Sequence, residues 1–170
     1  MISTQDKVFK FDEQLKVGDN GEADFLRFYK NLEPKKNTVD FRIDFDLKNG
    51  QTVELKTDTY SMKKTKNFFM ERYTVTGDNK KDGGPWRTAI HGVDYFVYYF
   101  ISDGVFFWFP PTVLRDFLDE YVRLNRLDLV HIPNVNKSGG YYEAQGYKIP
   151  RDVVKSVLFK EHKYEVRVQS

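Results

Sequence analysis

The sequence predicts an α/β (α+β) chain in which one central sheet is flanked by helices. Three observations lead there. Polar and apolar residues alternate strictly from Val39 to Lys48 and again from Thr52 to Thr57. Two nearly continuous apolar runs, Val93–Ile101 and Val105–Phe109, are joined by a turn at Asp103-Gly104. Apolar residues recur at helical spacing before Pro34 and after Pro111. Strands bracketed by helices, with no repeat or long linker, give one layered unit. At 170 residues the chain is sized for a single domain, 1–170, with a core region at 18–110 and further helices and short strands at 111–170.

The first helix is expected from about Asn20 to Leu32. Ala23, Leu26, Phe28 and Tyr29 recur at helical spacing, and Phe25 and Leu32 widen the stripe. Gly18-Asp19-Asn20-Gly21 offers a turn and cap before it, and Pro34 with Lys35 and Lys36 stops it. Val39, Phe41, Ile43, Phe45 and Leu47 then alternate with Asp40, Arg42, Asp44, Asp46 and Lys48, which predicts a strand with one polar face. Lys48-Asn49-Gly50 is a turn, and Thr52, Glu54 and Lys56 lie on one face of the next strand. Further on, Asn67–Val75 is a strand, Asp82–Pro85 a loop, Trp86–Gly92 a short helix and Thr112–Asn125 an amphipathic helix. Asn134–Gly140 is a loop, Tyr147–Ile149 a short strand, and Arg151–Phe159 a helix that starts after Pro150.

The register of the first hairpin follows from its turn. A three-residue loop closes with a left-handed residue, usually glycine, and Gly50 stands there. Leu47 then pairs with Gln51, Asp46 faces Thr52, Asp44 faces Glu54, and Arg42 lies opposite Lys56. Opposed residues share a face about 5 Å apart. A two-residue Asn-Gly turn would instead set Phe45 against Glu54 and place a carboxylate opposite a phenylalanine, which disfavours it.

Composition narrows the chemistry. The absence of cysteine excludes a disulfide scaffold, a zinc-thiolate site, an iron–sulfur cluster and a cysteine nucleophile. No apolar run approaches the ~20 residues of a bilayer span, and Met1–Lys10 lacks the apolar core of a signal peptide, so no membrane partner and a cytoplasmic location are expected. His91, His131 and His162 have no zinc-like spacing, and no Walker loop or dinucleotide fingerprint occurs. Net charge is only +2, but it is unevenly spread. Lys63, Lys64, Lys66, Arg72, Lys80 and Lys81 form one basic stretch, and Lys148, Arg151, Lys155, Lys160, Lys163 and Arg167 another. Acids gather at Asp40–Asp46 and Asp116–Glu120.

Two facing carboxylates, Asp44 and Glu54, repel and drive one pKa upward unless a cation lies between them. With the Leu55 carbonyl they supply the hard oxygen donors that Mg²⁺ prefers, leaving positions for water and a phosphate oxygen. Lys56 shares the Glu54 face, where its ammonium could orient or deprotonate an attacking water or stabilise developing charge. The plainer alternative is a solvated polar hairpin face. Asp40, Asp46 and Asp58 compete for roles, and Asp46 would replace Asp44 if the hairpin slipped.

The order and spacing of these residues resembles the PD-(D/E)XK nuclease superfamily: Gly18-x-x-x-Glu22, then Ile43-Asp44-Phe45, then Val53-Glu54-Leu55-Lys56-Thr57-Asp58. Ile43 stands where the family name has proline. The resemblance spans roughly 18–100 and is strongest from Asp44 to Asp58. It implies a restriction-endonuclease-like core with a mixed sheet flanked by helices. It also implies Mg²⁺- or Mn²⁺-dependent hydrolysis of DNA by a metal-activated water, with endonuclease action favoured. Asp44 and Glu54 would be metal ligands, Lys56 would act on the water, and Glu22 would reach the metal directly or through water. Against this, Glu22 also suits a first-turn acid that complements the helix dipole.

Thr65–Glu71 and Gly83–Thr88 resemble segments of viral and bacterial nuclease-like proteins. On that resemblance Asn67 and Glu71 organise the site while Lys66, Trp86 and Arg87 touch DNA, and the Gly83-Gly84 amides could cradle phosphate. A turn plus a core tryptophan is the simpler reading. Lys63, Lys64, Lys66, Arg72 and Arg87 are candidates to neutralise the DNA backbone. A homodimer would suit cutting of both strands. The rival expectations are an inactive DNA-binding module of the same fold, a protein–protein interaction component, and an enzyme acting on RNA or nucleotides.

Overall fold

The computed structural model describes residues 17–135 and 139–165. Met1–Lys10, Arg167 and the middle of the expected 134–140 loop fall outside them. Helix α1 occupies residues 17–28 and is followed by a 3-10 turn, Lys30–Leu32. Among the described residues ten strands then form two sheets, with helices α2 (Gly84–Ile90) and α3 (Pro111–Asn125) between strands along the chain. The first sheet has six strands in the order β1 (Lys35–Lys36), β2 (Phe45–Asp46), β3 (Thr52–Asp58), β6 (Tyr95–Phe100), β7 (Val105–Phe109) and β10 (Lys160–Lys163). It is mixed: β3 runs parallel to β6, and every other neighbouring pair is antiparallel. The second sheet is antiparallel in the order β5 (Asn79–Asp82), β4 (Asn67–Thr76), β9 (Tyr141–Pro150) and β8 (Val130–Val135).

The expected mixed sheet with flanking helices is present, but the expectation of one central sheet is corrected to two. The six-stranded sheet is the middle layer because its central strands are apolar on both faces. Val97 and Tyr99 of β6, with Phe106 and Trp108 of β7, pack under Phe25 of α1 and Tyr29, the residue that follows the helix. The alternate residues, Phe96, Tyr98 and Phe100 with Val105, Phe107 and Phe109, pack on the other face against Phe68 and Met70 of β4, Trp86 of α2, and Leu114 and Leu118 of α3. Two-sided burial is why these strands read as unbroken apolar runs.

The expected strand Val39–Leu47 forms only at Phe45–Asp46. Local side chains capture the backbone before it. Asn37 Oδ1 accepts from the amides of Val39 (3.0 Å) and Asp40 (2.8 Å), and Asp40 Oδ1 accepts from the Arg42 amide at 3.0 Å. Such bonds compete with a ladder, and Val39 and Phe41, both exposed, have no buried face to offset them. The turn behaves as expected: Gly50 has φ 86°, Phe45 pairs with Val53, Asp46 with Thr52, and the Leu47 amide bonds Gln51 O at 2.8 Å. Arg42 lies outside β2 and is not strand-paired with Lys56. It forms an ion pair with Asp40 at 2.7 Å and approaches His91 Nδ1 at 3.4 Å. The expected helix at Arg151–Phe159 is a 3-10 segment, Arg151–Val157, and the short strand at Tyr147–Ile149 is the end of the longer β9. Strands β5, β8 and β10 had no counterpart in the sequence reading.

Candidate active site

The site forms where β2 stops short of the end of β3. Val53 is buried beneath α1, so by alternation Glu54 and Lys56 project from the opposite face, toward β4 and α2. Beyond β2 the ladder continues by one bond, from Asp44 N–H to Val53 O at 2.9 Å. The next edge amide, Leu55 N–H, donates instead to Asp44 Oδ2 at 2.7 Å. A side-chain carboxylate therefore takes the place of a strand carbonyl. The N–H and C=O of one residue leave a strand on the same side, so the Leu55 carbonyl also faces this open edge.

Glu22 arrives from α1. Gly21 makes this possible, because a side chain there would overlap Thr57, one residue beyond Lys56. Lys36 forms an ion pair with Glu22 at 2.9 Å. Glu71 enters from β4, next to a break in the β4–β9 register between Glu71 and Tyr73, of the kind that re-aims side chains. Thr74 Oγ1 donates to Glu71 Oε2 at 3.5 Å.

These elements enclose a cleft of about 590 Å³ lined by Glu22, Asp44, Glu54, Leu55, Lys56, Asp58 and Glu71, with Tyr142, Ile132 and Asn134 on its far wall. A smaller adjoining cavity of about 90 Å³ shares Glu54, Leu55, Lys56 and Glu71 and adds Arg42, Arg87 and Thr88. Seven of the residues singled out in the sequence thus meet in one cleft, and Arg87 stands next to it.

Burial pushes the Asp44 carboxyl up to about 6, opposed by the Leu55 amide and reinforced by the charge of Glu22. Burial pushes Glu54 up to about 9, and the charge of Asp44 adds to it. Burial also raises Glu71, against the pull of Lys56. Glu54 Oε2 is buried and has no hydrogen-bond partner among the described residues. Native proteins satisfy nearly all buried polar atoms, so this oxygen marks a place where something else is expected to bind.

No group of three or more His, Asp or Glu side chains among the described residues is arranged to hold a metal ion. The donors nonetheless fit the sparse mode Mg²⁺ uses, in which one or two carboxylates act with water and substrate phosphate. Asp44 and Glu54 with the Leu55 carbonyl would hold the ion, and Glu54 Oε2 is the orphaned acceptor it would satisfy.

The other candidates take different places around this cleft. Trp86 is buried, and its indole N–H donates to Asp119 at 2.8 Å, so it belongs to the core and not to a DNA contact. Arg72 is ion-paired with Asp82 and lies over the rings of Tyr73 and Trp86. Gly83 and Gly84 let α2 press on Glu71: a Cβ at Gly84 would come within 2.5 Å of Glu71 O, and one at Gly83 within 2.7 Å of its Oε2. Asp46 accepts from Asn37 Nδ2 at 2.8 Å and does not replace Asp44. Asp58 accepts from the Tyr98 hydroxyl and from the Tyr60 amide, which braces the cleft. Lys63, Lys64 and Lys66 are exposed between β3 and β4, and Asn67 is half-buried at the start of β4, none of them lining the cleft. Lys36 was missed because two lysines after a proline read only as a helix stop. Its one sequence signal is its place two residues past that proline, where the chain turns back beside the helix.

No protein-family model matches the chain, and no curated protein matches it. No helix among the described residues is long and apolar enough to cross a membrane.

Proposed function

We propose that the cleft hydrolyses DNA phosphodiester bonds with a divalent cation, Mg²⁺ or Mn²⁺, in the manner of the PD-(D/E)XK nucleases that Glu22, Asp44, Glu54 and Lys56 resemble. One observation carries this reading. Two mutually repelling carboxylates, one with an unpartnered buried oxygen, sit against a strand-edge carbonyl with a lysine on the same face. Charges arranged against their own stability are characteristic of functional sites.

Asp44 and Glu54 would hold the cation, with Asp44 oriented by the Leu55 amide. A cation bound there would polarise a phosphate oxygen and acidify water near it. Lys56 orients the attacking water and stabilises charge on the phosphate. Glu22, itself fixed by Lys36, adds negative charge beside Asp44. Arg87, lining the adjoining cavity, binds a neighbouring phosphate. The cleft volume is that of a site for a nucleotide-sized ligand.

The test is cleavage of labelled linear duplex, single-stranded and four-way-junction DNA with Mg²⁺, Mn²⁺ or EDTA. Metal-dependent cutting is expected. Lys56→Ala should slow it by about 10²–10⁴-fold, and Glu54→Ala should abolish it. Salt-sensitive binding without cutting under any metal would point to an inactive DNA-binding module. The absence of both binding and cutting would overturn the reading.

A further inference from the structure

We infer that Phe41, with Val39 beside it at the tip of loop 37–44, is a stacking contact for a DNA base bordering the cleft. This rests on the nuclease reading above and adds to it a contact that reads an unstacked base.

Val39 is 94% exposed and Phe41 85% exposed. Neither contributes to a core, yet the loop that carries them is closely tied. Its ends are joined by the Asn37 amide on Asp44 O at 2.9 Å. Inside it, Asn37 holds the amides of Val39 and Asp40, and Asp40 holds both the amide and the guanidinium of Arg42. The Ile43 amide closes onto Asp40 O at 3.1 Å. A loop fixed by its own hydrogen bonds keeps an aromatic ring in water without needing that ring for folding.

The ring's surroundings identify the partner. Three residues beyond Phe41 lies Asp44, which lines the cleft. The Arg87 guanidinium lies 5.6 Å from the Phe41 ring centroid and also lines the small cavity with Glu54 and Lys56. Among the described residues Arg87 has no ion-pair partner within 4 Å. A flat apolar ring beside a cation is the pattern that binds a base and its phosphate together, since every base offers a π-face. Two apolar side chains are too little for the core of a protein–protein interface, which draws on roughly 20–30 residues a side. The stacked base has to be unpaired, frayed or flipped, so the contact favours ends, junctions and single strands over intact duplex.

The test measures binding by the full chain carrying Lys56→Ala, in Mg²⁺, to a single strand and to a four-way junction that contain 2-aminopurine. Adding Phe41→Ala should weaken binding about 10-fold and suppress the change in 2-aminopurine fluorescence, with the salt dependence unaltered. Phe41→Trp should keep both. Arg87→Ala, by contrast, should flatten the salt dependence, because it removes a phosphate contact. If Phe41→Ala leaves affinity and fluorescence at the parent level, the stacking contact is overturned and the cleft reading stands. If the parent binds neither DNA, both fall.

Discussion

At the β4–β5 edge, Arg72 is paired with Asp82, Lys80 lies 3.9 Å from the Tyr73 ring centroid, and the Arg72 guanidinium covers Trp86. At the open edge of β3, burial raises Asp44 and Glu54, each carboxylate raises the other or is raised by a third, and one oxygen lacks a partner. In the sequence both regions are stretches rich in charged residues. In the first the charges are spent on each other and on rings, so they contribute to holding the sheet. In the second they are held in a geometry that folding alone would not choose. The difference separates charge that stabilises from charge kept for a ligand, and it is why Arg72 and Trp86 leave the candidate interface while Glu71 joins the site.

The comparison can be broken at either edge. The largest expected effect is at Trp86. If it is core, Trp86→Ala should cost about 3–5 kcal/mol in denaturant unfolding, the usual range for losing a buried aromatic. A cost below about 1 kcal/mol with weakened DNA binding would return it to the interface.

A smaller effect of opposite sign is expected at Glu54. Its folded-state pKa, about 9, lies above the ordinary 4.5. The native state therefore keeps a proton that the unfolded chain gives up. The stability this contributes is fully present below pH 4.5 and declines as pH rises toward 9. Glu54→Gln, which cannot ionise, should be unfolded less readily than the parent at pH 8 and should show a flatter fall in stability between pH 5 and 8. Parallel pH profiles for the two chains would mean that Glu54 is not held against its charge.

Much of this was readable in the residues. The β6–β7 hairpin declared itself because Phe96 to Phe109 is buried on both faces, and β3 because one face is apolar and the other charged. Gly50, in its left-handed place, set the register of Phe45 on Val53 and Asp46 on Thr52, and Asp44 follows close enough to act on the charge of Glu54. Strands β5, β8 and β10 were not readable. Residues such as Asn79–Asp82 and Lys160–Lys163 join sheets through backbone bonds at an edge, and their polar side chains carry no burial pattern. The stretch 39–44 misled for the converse reason: its alternation is real, but no neighbouring layer covers Val39 or Phe41. The approach of Glu71, the pairing of Lys36 with Glu22 and the fit of Gly21 against Thr57 all join segments distant in sequence, and period and spacing do not encode such contacts.

The central claim is that Asp44 and Glu54 are kept together for a divalent cation. It is tested most directly without any substrate, by following thermal unfolding of the chain against Mn²⁺ and Mg²⁺ concentration, alongside Asp44→Asn and Glu54→Gln. Ligand at free concentration L that binds only the native state stabilises it by RT ln(1 + L/Kd), so the melting temperature climbs with ligand concentration. A rise in the parent chain that is lost in both variants is the expected result. No rise in the parent, or the same rise in all three, would contradict the claim.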